Sequence, residues 1–174
     1  MDALAEQFLQ RLNAAIKRKV TVTLIGGNAL VALGLKKLTR DIDLVVRSSE
    51  PETAKFCQEY ASKYKVKVEF FVDGLFKHVR VKDYLEKATT IDVPEFANLI
   101  IKILNVYDII LTKTNRFEER DQNDIVNVLS QMEISTNELD KRFKYYLKYF
   151  MGPKDNFIEN YEALKKAYGH LLKP

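Results

Sequence analysis

The stretch DIDLVV, residues 41–46, constrains this chain more than any other. Its apolar residues ask for a strand, in which neighbouring side chains point to opposite faces and residues two apart share one. Asp41 and Asp43 therefore take one face, about 6.6 Å apart along the backbone at the usual rise, and Ile42 and Leu44 take the other. The LVV that follows reads as a buried central strand, and carboxylates at the head of such a strand cost free energy unless they find partners. The fold must supply a sheet that is apolar on one side and offers these two acids something on the other.

The flanking segments supply that sheet. KVTVTLI (19–25) alternates Val20, Val22 and Leu24 against Thr21 and Thr23, and Gly26-Gly27 ends it. NALVALG (28–34) is a short helix stopped near Gly34. KVKVEFFV (65–72) alternates again, with Val66, Val68, Phe70 and Val72 on one face and Lys67, Glu69 and Phe71 on the other. Asp73-Gly74 is a hairpin-type turn, after which LFKHVRV (75–81) returns as an antiparallel strand. Leu4, Phe8, Leu12, Ala15 and Ile16 stand at helical spacing and predict a helix over 3–17. Ser49 and Glu52 are spaced as a capping box, with Pro51 where a first turn tolerates it, and predict a helix over 50–63 that buries Phe56 and Tyr60. A short helix near 84–88 and a short strand near 90–93 follow.

From Pro94 onward the expected pattern is helical. Asp92 with Glu95 reads as a helix start, and Phe96, Leu99, Ile100, Ile103 and Leu104 keep a helical period. Further helices are expected over 106–115, 118–131, 136–150 and 156–170, with Ser135 and Glu138 as a second cap. The fold class is therefore α+β: a mixed sheet flanked by helices over 1–93, then a helical bundle over 94–174 packed on it.

Composition narrows the chemistry. The chain carries one cysteine, which excludes an intramolecular disulfide and leaves a structural zinc site short of thiolates. A net charge of +4 is compatible with nucleotides or RNA as partners without requiring them. No apolar run reaches the roughly 18 residues of a membrane span, and MDALAEQF lacks the layout of a secretion signal, so a soluble cytoplasmic protein is expected. KRFKYYLKYF (141–150) interleaves basic and aromatic residues, which suits stacking on RNA. Leu139, Phe143, Tyr146, Leu147 and Phe150 fall at helical spacing, however, and describe a core-facing stripe. His78 and His170 match no metal or triad spacing, Cys57 reads as a small buried hydrophobe, and Arg80 suits either a phosphate or an acid.

The aspartate pair admits two readings. A D-x-D can lie on a solvated strand face, matched to Lys37 and Arg40. It can also hold a divalent ion, whose charge relieves the repulsion between the two acids; Mg²⁺ needs only one or two protein carboxylates beside phosphate oxygens and water. If the strand carrying Glu69 lies beside DIDLVV, Glu69 becomes a third oxygen ligand or a base for a hydroxyl nucleophile. Gly26-Gly27 is either a tight turn or a place where the absence of Cβ lets backbone N–H groups approach a phosphate, reinforced by the start of the next helix. No G-K-[ST] follows it, and it is not G-x-G-x-x-G. A phosphate-friendly turn followed one short helix later by two acids describes a site for a metal-bound nucleoside triphosphate.

In this arrangement IGGNALVALG…TRDIDLVV resembles the signature of the polymerase-beta-like nucleotidyltransferase superfamily. Ala29 and Gly34 also match the Gly-Gly-x-Ala-x4-Gly form of its small prokaryotic branches. The resemblance implies nucleotide contacts at Gly26 and Gly27, joined by Asn28 and Arg40, and Mg²⁺ or Mn²⁺ held by Asp41 and Asp43. Glu69 becomes the third catalytic acid and metal ligand, where an aspartate is more usual, and Asp73 competes for that place. DIILTKTNRFEERDQNDIVNVL (108–129) is similar to the helical segment of AbiEii-type and related nucleotidyltransferases. There Lys113 would neutralise triphosphate charge, with Arg120, Asp121 and Asp124 in secondary places. The implied activity is transfer of a nucleoside monophosphate from a triphosphate to a hydroxyl on RNA, protein or a small molecule, in some relatives within toxin–antitoxin pairs. The alternatives are a catalytically silent nucleotide-binding protein that acts through a partner, and an RNA-binding helical module.

Overall fold

The computed structural model describes residues 1–72 and 83–174. These divide into two compact units, one formed by 1–72 with 85–104 and the other by 83–84 with 105–174. The expected hairpin turn at Asp73-Gly74, the strand over 75–81, and with them Arg80 and His78, lie outside the described residues.

The first unit contains helix α1 (Ala3–Ala15), strand β1 (Val20–Leu24), helix α2 (Gly26–Ala32), strand β2 (Ile42–Val46), helix α3 (Pro51–Tyr64), strand β3 (Val68–Val72), and strands β4 (Thr89–Ile91) and β5 (Leu99–Ile103). A one-turn helix, α4 (Tyr84–Lys87), precedes β4. The strands form one mixed sheet in the order β3-β2-β1-β5-β4. β1 runs antiparallel to β2 and parallel to β5, β2 runs parallel to β3, and β4 is antiparallel to β5. An α+β class with a mixed sheet and flanking helices is thus what the chain adopts.

The alternation read from the strands becomes one layered core. Val20, Val22 and Leu24 of β1, Ile42, Leu44 and Val46 of β2, and Leu99 and Ile101 of β5 are buried with Phe8, Leu9 and Leu12 of α1 and Cys57 and Tyr60 of α3. Val66, Val68 and Phe70 pack against the edge of that cluster. Burying a side chain such as Phe8 or Leu44 is worth about 1.5–3 kcal/mol each, so this layer fixes which face of each strand looks inward. Asp41 and Asp43 are thereby turned to the opposite face.

Two local expectations fail. Residues 99–103 form β5, not part of a helix beginning at Pro94, so the sheet-bearing unit runs through Leu104. The apolar residues of LIIKI satisfy both periods; Leu99, Ile101 and Ile103 are buried while Ile100 is exposed, and pairing with β1 from Val20↔Leu99 to Leu24↔Ile103 decides for the strand. β-branched isoleucine suits that choice. Ser49 and Glu52 do not close a capping box either. Glu50 is the N-cap of α3 without a side-chain cap bond, and its carboxylate instead accepts the Thr21 N–H at 3.2 Å. Pro51 does occupy the first turn.

The second unit holds helices α5 (Val106–Arg116), α6 (Glu119–Gln131), α7 (Thr136–Tyr149) and α8 (Lys154–Tyr168). Ser135 caps α7 by accepting the Glu138 N–H. The aromatic stripe of α7 faces inward: Phe143 stacks on Tyr161 at 3.8 Å between ring centres, and Phe150 stacks on Phe157 at 4.8 Å. Lys141, Lys144 and Lys148 stay exposed, as the core-stripe reading of KRFKYYLKYF requires. Among the described residues no helix is long and apolar enough to cross a membrane.

Candidate functional site

β2 and β3 pair in parallel with Ile42 opposite Val68 and Asp43 opposite Glu69. Because Ile42, Leu44, Val68 and Phe70 face the core, the alternate residues Asp41, Asp43, Lys67 and Glu69 share the other face. Neighbouring strands lie about 4.8 Å apart, so Asp43 and Glu69 are cross-strand neighbours on that face. Lys67 already stands among these acids. Its Nζ lies 3.7 Å from Asp41 Oδ2 and forms an ion pair with Glu69 Oε1. The hydrogen bond to Glu69, with the charges of Glu69, Asp41 and Asp43, raises the Lys67 ammonium above the usual lysine range. Among the described residues no three His, Cys, Asp or Glu side chains are gathered as a ready-made metal cluster.

The diglycine lies against Asp43. Gly26 has φ +53°, and a Cβ built there would sit 2.5 Å from Asp43 Oδ2. The Gly27 N–H donates to the same oxygen at 3.4 Å. The two glycines form the first turn of α2 instead of preceding it. Gly27 has its own tight neighbour, because a Cβ there would meet Thr39 Oγ1 at 2.7 Å. The need for glycine at both positions is therefore steric. Any side chain would push on Asp43 or on the loop that delivers Asp41.

Three further residues hold this corner. Asn28 is fully buried; its Oδ1 accepts the Asp43 backbone N–H at 2.7 Å, while its Nδ2 finds no partner among the described residues. Asn28, expected among the nucleotide contacts, gives its carboxamide oxygen to the strand that carries Asp43. Thr39 donates its hydroxyl to the Asp41 carbonyl at 3.3 Å and its backbone N–H to Asp2 Oδ2 at 2.8 Å. The other oxygen of Asp2 caps α1 at Ala5 N. Asp2 thus ties the head of α1 to the approach to β2. Arg40 is exposed on that approach. Asp73, the competing third acid, lies outside the described residues.

In the second unit the structure brings Lys113, Asp121 and Asp124 together. Lys113 Nζ is 2.6 Å from Asp124 Oδ2 and 3.6 Å from Asp121 Oδ1, and all three residues are buried. Arg116 grips Asp121 through both carboxylate oxygens, at 2.7 and 2.8 Å. Burial alone would raise the Asp121 carboxyl, but the Arg116 bonds and the charges of Lys113, Arg116 and Arg120 outweigh it and hold the group below the usual range. Arg120 stays exposed and pairs with Glu118 at 3.3 Å.

A second buried network joins Arg142, Asp108 and Asp83. Arg142 of α7 donates to Asp108 Oδ1 at 2.6 Å and Oδ2 at 3.0 Å, and to Asp83 Oδ2 at 2.7 Å. Asp108 is wholly buried, which pushes its carboxyl above the usual range despite Arg142. The available signal was spacing alone, since Arg142 lies on the same helical face as Leu139 and Tyr146.

A mixed sheet with D-x-D at the head of one strand, an acid opposite its second aspartate on the next, and a diglycine helix start against it defines a nucleotidyltransferase-like protein. The chain belongs to the family described as nucleotidyltransferase of unknown function (DUF6036), whose profile matches residues 3–173. No curated protein and no solved structure matches it.

Proposed function

We propose that this chain is a divalent-metal-dependent nucleotidyltransferase, moving a nucleoside monophosphate from a triphosphate to a hydroxyl. The observation that carries the reading is the seating of the Asp43 carboxylate on the Gly26-Gly27 turn, with Glu69 opposite Asp43 on the adjacent parallel strand. The donor set fits the metal: Asp41, Asp43 and Glu69 offer hard oxygens, and a cation, the Lys67 ammonium, is already drawn to them. Asp41, Asp43 and Glu69 would hold Mg²⁺ or Mn²⁺. Such an ion, when bound, neutralises triphosphate charge and polarises the phosphoryl group under attack.

The chain's own residues do the rest. Gly26 and Gly27, having no Cβ, let the Asp43 carboxylate and Thr39 sit directly against the turn, which holds Asp43 in place for a metal-borne phosphate. Asn28 fixes the Asp43 backbone, and Thr39 fixes that of Asp41 and fills the space beside Gly27, so the two acids keep their spacing. Glu69, half-exposed at the sheet's edge side, can accept the proton of an incoming hydroxyl. Arg40 is free of the core and suits an anionic substrate. Lys113, its charge taken up by Asp124 and Asp121, we assign to holding α5 against α6 and not to the triphosphate.

The acceptor belongs to the class of hydroxyls on RNA, protein or small molecules, and a place in a toxin–antitoxin pair rests on the AbiEii-type resemblance alone. The RNA-binding module is the weaker alternative, because Phe143, Tyr146 and Phe150 of KRFKYYLKYF are packed inward and leave only Tyr145 and Tyr149 toward solvent. The test is incubation with each α-labelled triphosphate, Mg²⁺ or Mn²⁺ and candidate acceptors. Label transfer by the wild type and its loss in Asp41→Asn and Asp43→Asn are expected. Metal-dependent triphosphate binding without transfer or pyrophosphate release would favour the silent binder instead.

A further inference from the structure

We infer that Lys67 is the resident counter-ion of the carboxylate site, holding the place of the divalent cation and giving it up when the metal loads. The inference rests on the reading of Asp41, Asp43 and Glu69 as the metal's oxygen donors and adds a regulator to that site.

The parallel register forces the arrangement. Ile42 pairs with Val68 and Asp43 with Glu69, so Asp41 and Lys67 occupy the matching positions one residue earlier. The four side chains form the corners of one charged patch on the face away from the core. Acids adjacent along a strand and across strands repel, and an ammonium among them removes part of that repulsion. Lys67 reaches both the Asp41 carboxylate at 3.7 Å and the Glu69 carboxylate, which come from different strands. A carboxylate oxygen engaged with an ammonium is not free to coordinate a metal, so the two cations compete for the same lone pairs.

The exchange is sterically open. Lys67 is 56% exposed and Glu69 46%, so the four-carbon stem can swing into solvent without disturbing the sheet. Its backbone stays in place, because the Lys67 carbonyl accepts the Ile42 N–H at 2.9 Å. An exposed ion pair is worth little, which suits a placeholder that must leave. The ammonium thus offsets the repulsion among the acids until a divalent ion takes its place.

The test is Mn²⁺ binding to the nucleotide-free full chain, read from the electron paramagnetic resonance signal of free Mn²⁺ at low ionic strength. Wild type, Lys67→Gln, Lys67→Arg and the Asp41→Asn/Asp43→Asn double variant are compared, with circular dichroism confirming that each is folded. Lys67→Gln should bind up to about thirtyfold more tightly than wild type, the order expected from removing one unit charge some 4 Å from a divalent ion in a solvent-like dielectric. Lys67→Arg, which keeps the charge, should stay near wild type, and the double aspartate variant should lose binding. Unchanged or weaker binding by Lys67→Gln, with the aspartate variant still deficient, overturns the counter-ion role and leaves the metal site standing. Binding indifferent to the aspartates, or absent from wild type and Lys67→Gln alike, overturns the metal site and this inference with it.

Discussion

Gly26 offers the sharpest quantitative test, because Gly34 provides a matched control. Both have left-handed backbones, φ +53° at Gly26 and +75° at Gly34, so alanine at either strains the main chain by about 1–2 kcal/mol. Their surroundings differ. A Cβ at Gly34 meets nothing within 4 Å, whereas at Gly26 it would lie 2.5 Å from Asp43 Oδ2, about 0.9 Å inside the 3.4 Å at which ordinary contact begins. Asp43 is held by its backbone bonds to Asn28 and Ile25, so most of that displacement must fall on its carboxylate. Gly34→Ala should lower the melting temperature by about 2–4 °C per kcal/mol of strain and leave metal-triphosphate binding and turnover alone. Gly26→Ala should cost more stability and, with the carboxylate moved by nearly 1 Å, reduce turnover by about 10²-fold. Differential scanning calorimetry and pyrophosphate release read the two effects separately. Equal behaviour of the two variants in both assays would refute the claim that the diglycine exists to seat Asp43.

Replacing Lys113 with Met should destabilise the chain by about 3 kcal/mol in urea, because it leaves the Asp124 carboxylate buried without its ammonium. Asp121 is held low, so the stability it contributes is present above the ordinary carboxylate pKa near 4 and is lost as pH falls through its depressed folded value. Asp121→Asn should therefore be less stable than wild type at neutral pH, with the gap in urea midpoint closing below about pH 4; a constant gap down to pH 2 would contradict this. Burial pushes the Cys57 thiol up to about 12, so it should resist disulfide reagents in the native chain and react once urea unfolds it.

Much of the fold was readable because its cause is local. Alternation located β1, β2 and β3, and it placed Asp41 and Asp43 on one face and Glu69 on the matching face of another strand. What sequence cannot supply is which strands become neighbours, and that juxtaposition is what makes Glu69 interesting. β5 was missed because LIIKI fits a helical stripe and a strand equally, and only the open edge of β1 settles the matter. Lys67 lay on the polar face beside Glu69 in plain view, yet its meaning depends on a cross-strand partner, Asp41. Asp2, Thr39 and Arg142 act through contacts between residues distant in sequence, to which periodicity is blind. Asn28 follows the diglycine directly in sequence, but only the fold shows that its buried carboxamide braces Asp43.

The central claim, that acids from two adjacent strands, seated against a diglycine turn, hold a metal-borne triphosphate, is tested most directly by crystallography. Crystals grown with Mn²⁺ and a non-hydrolysable triphosphate should show an anomalous peak about 2.1 Å from carboxylate oxygens of Asp41 and Asp43, with phosphate beside Gly27. Mn²⁺ and triphosphate bound elsewhere, with Asp41 and Asp43 engaging neither, would contradict it.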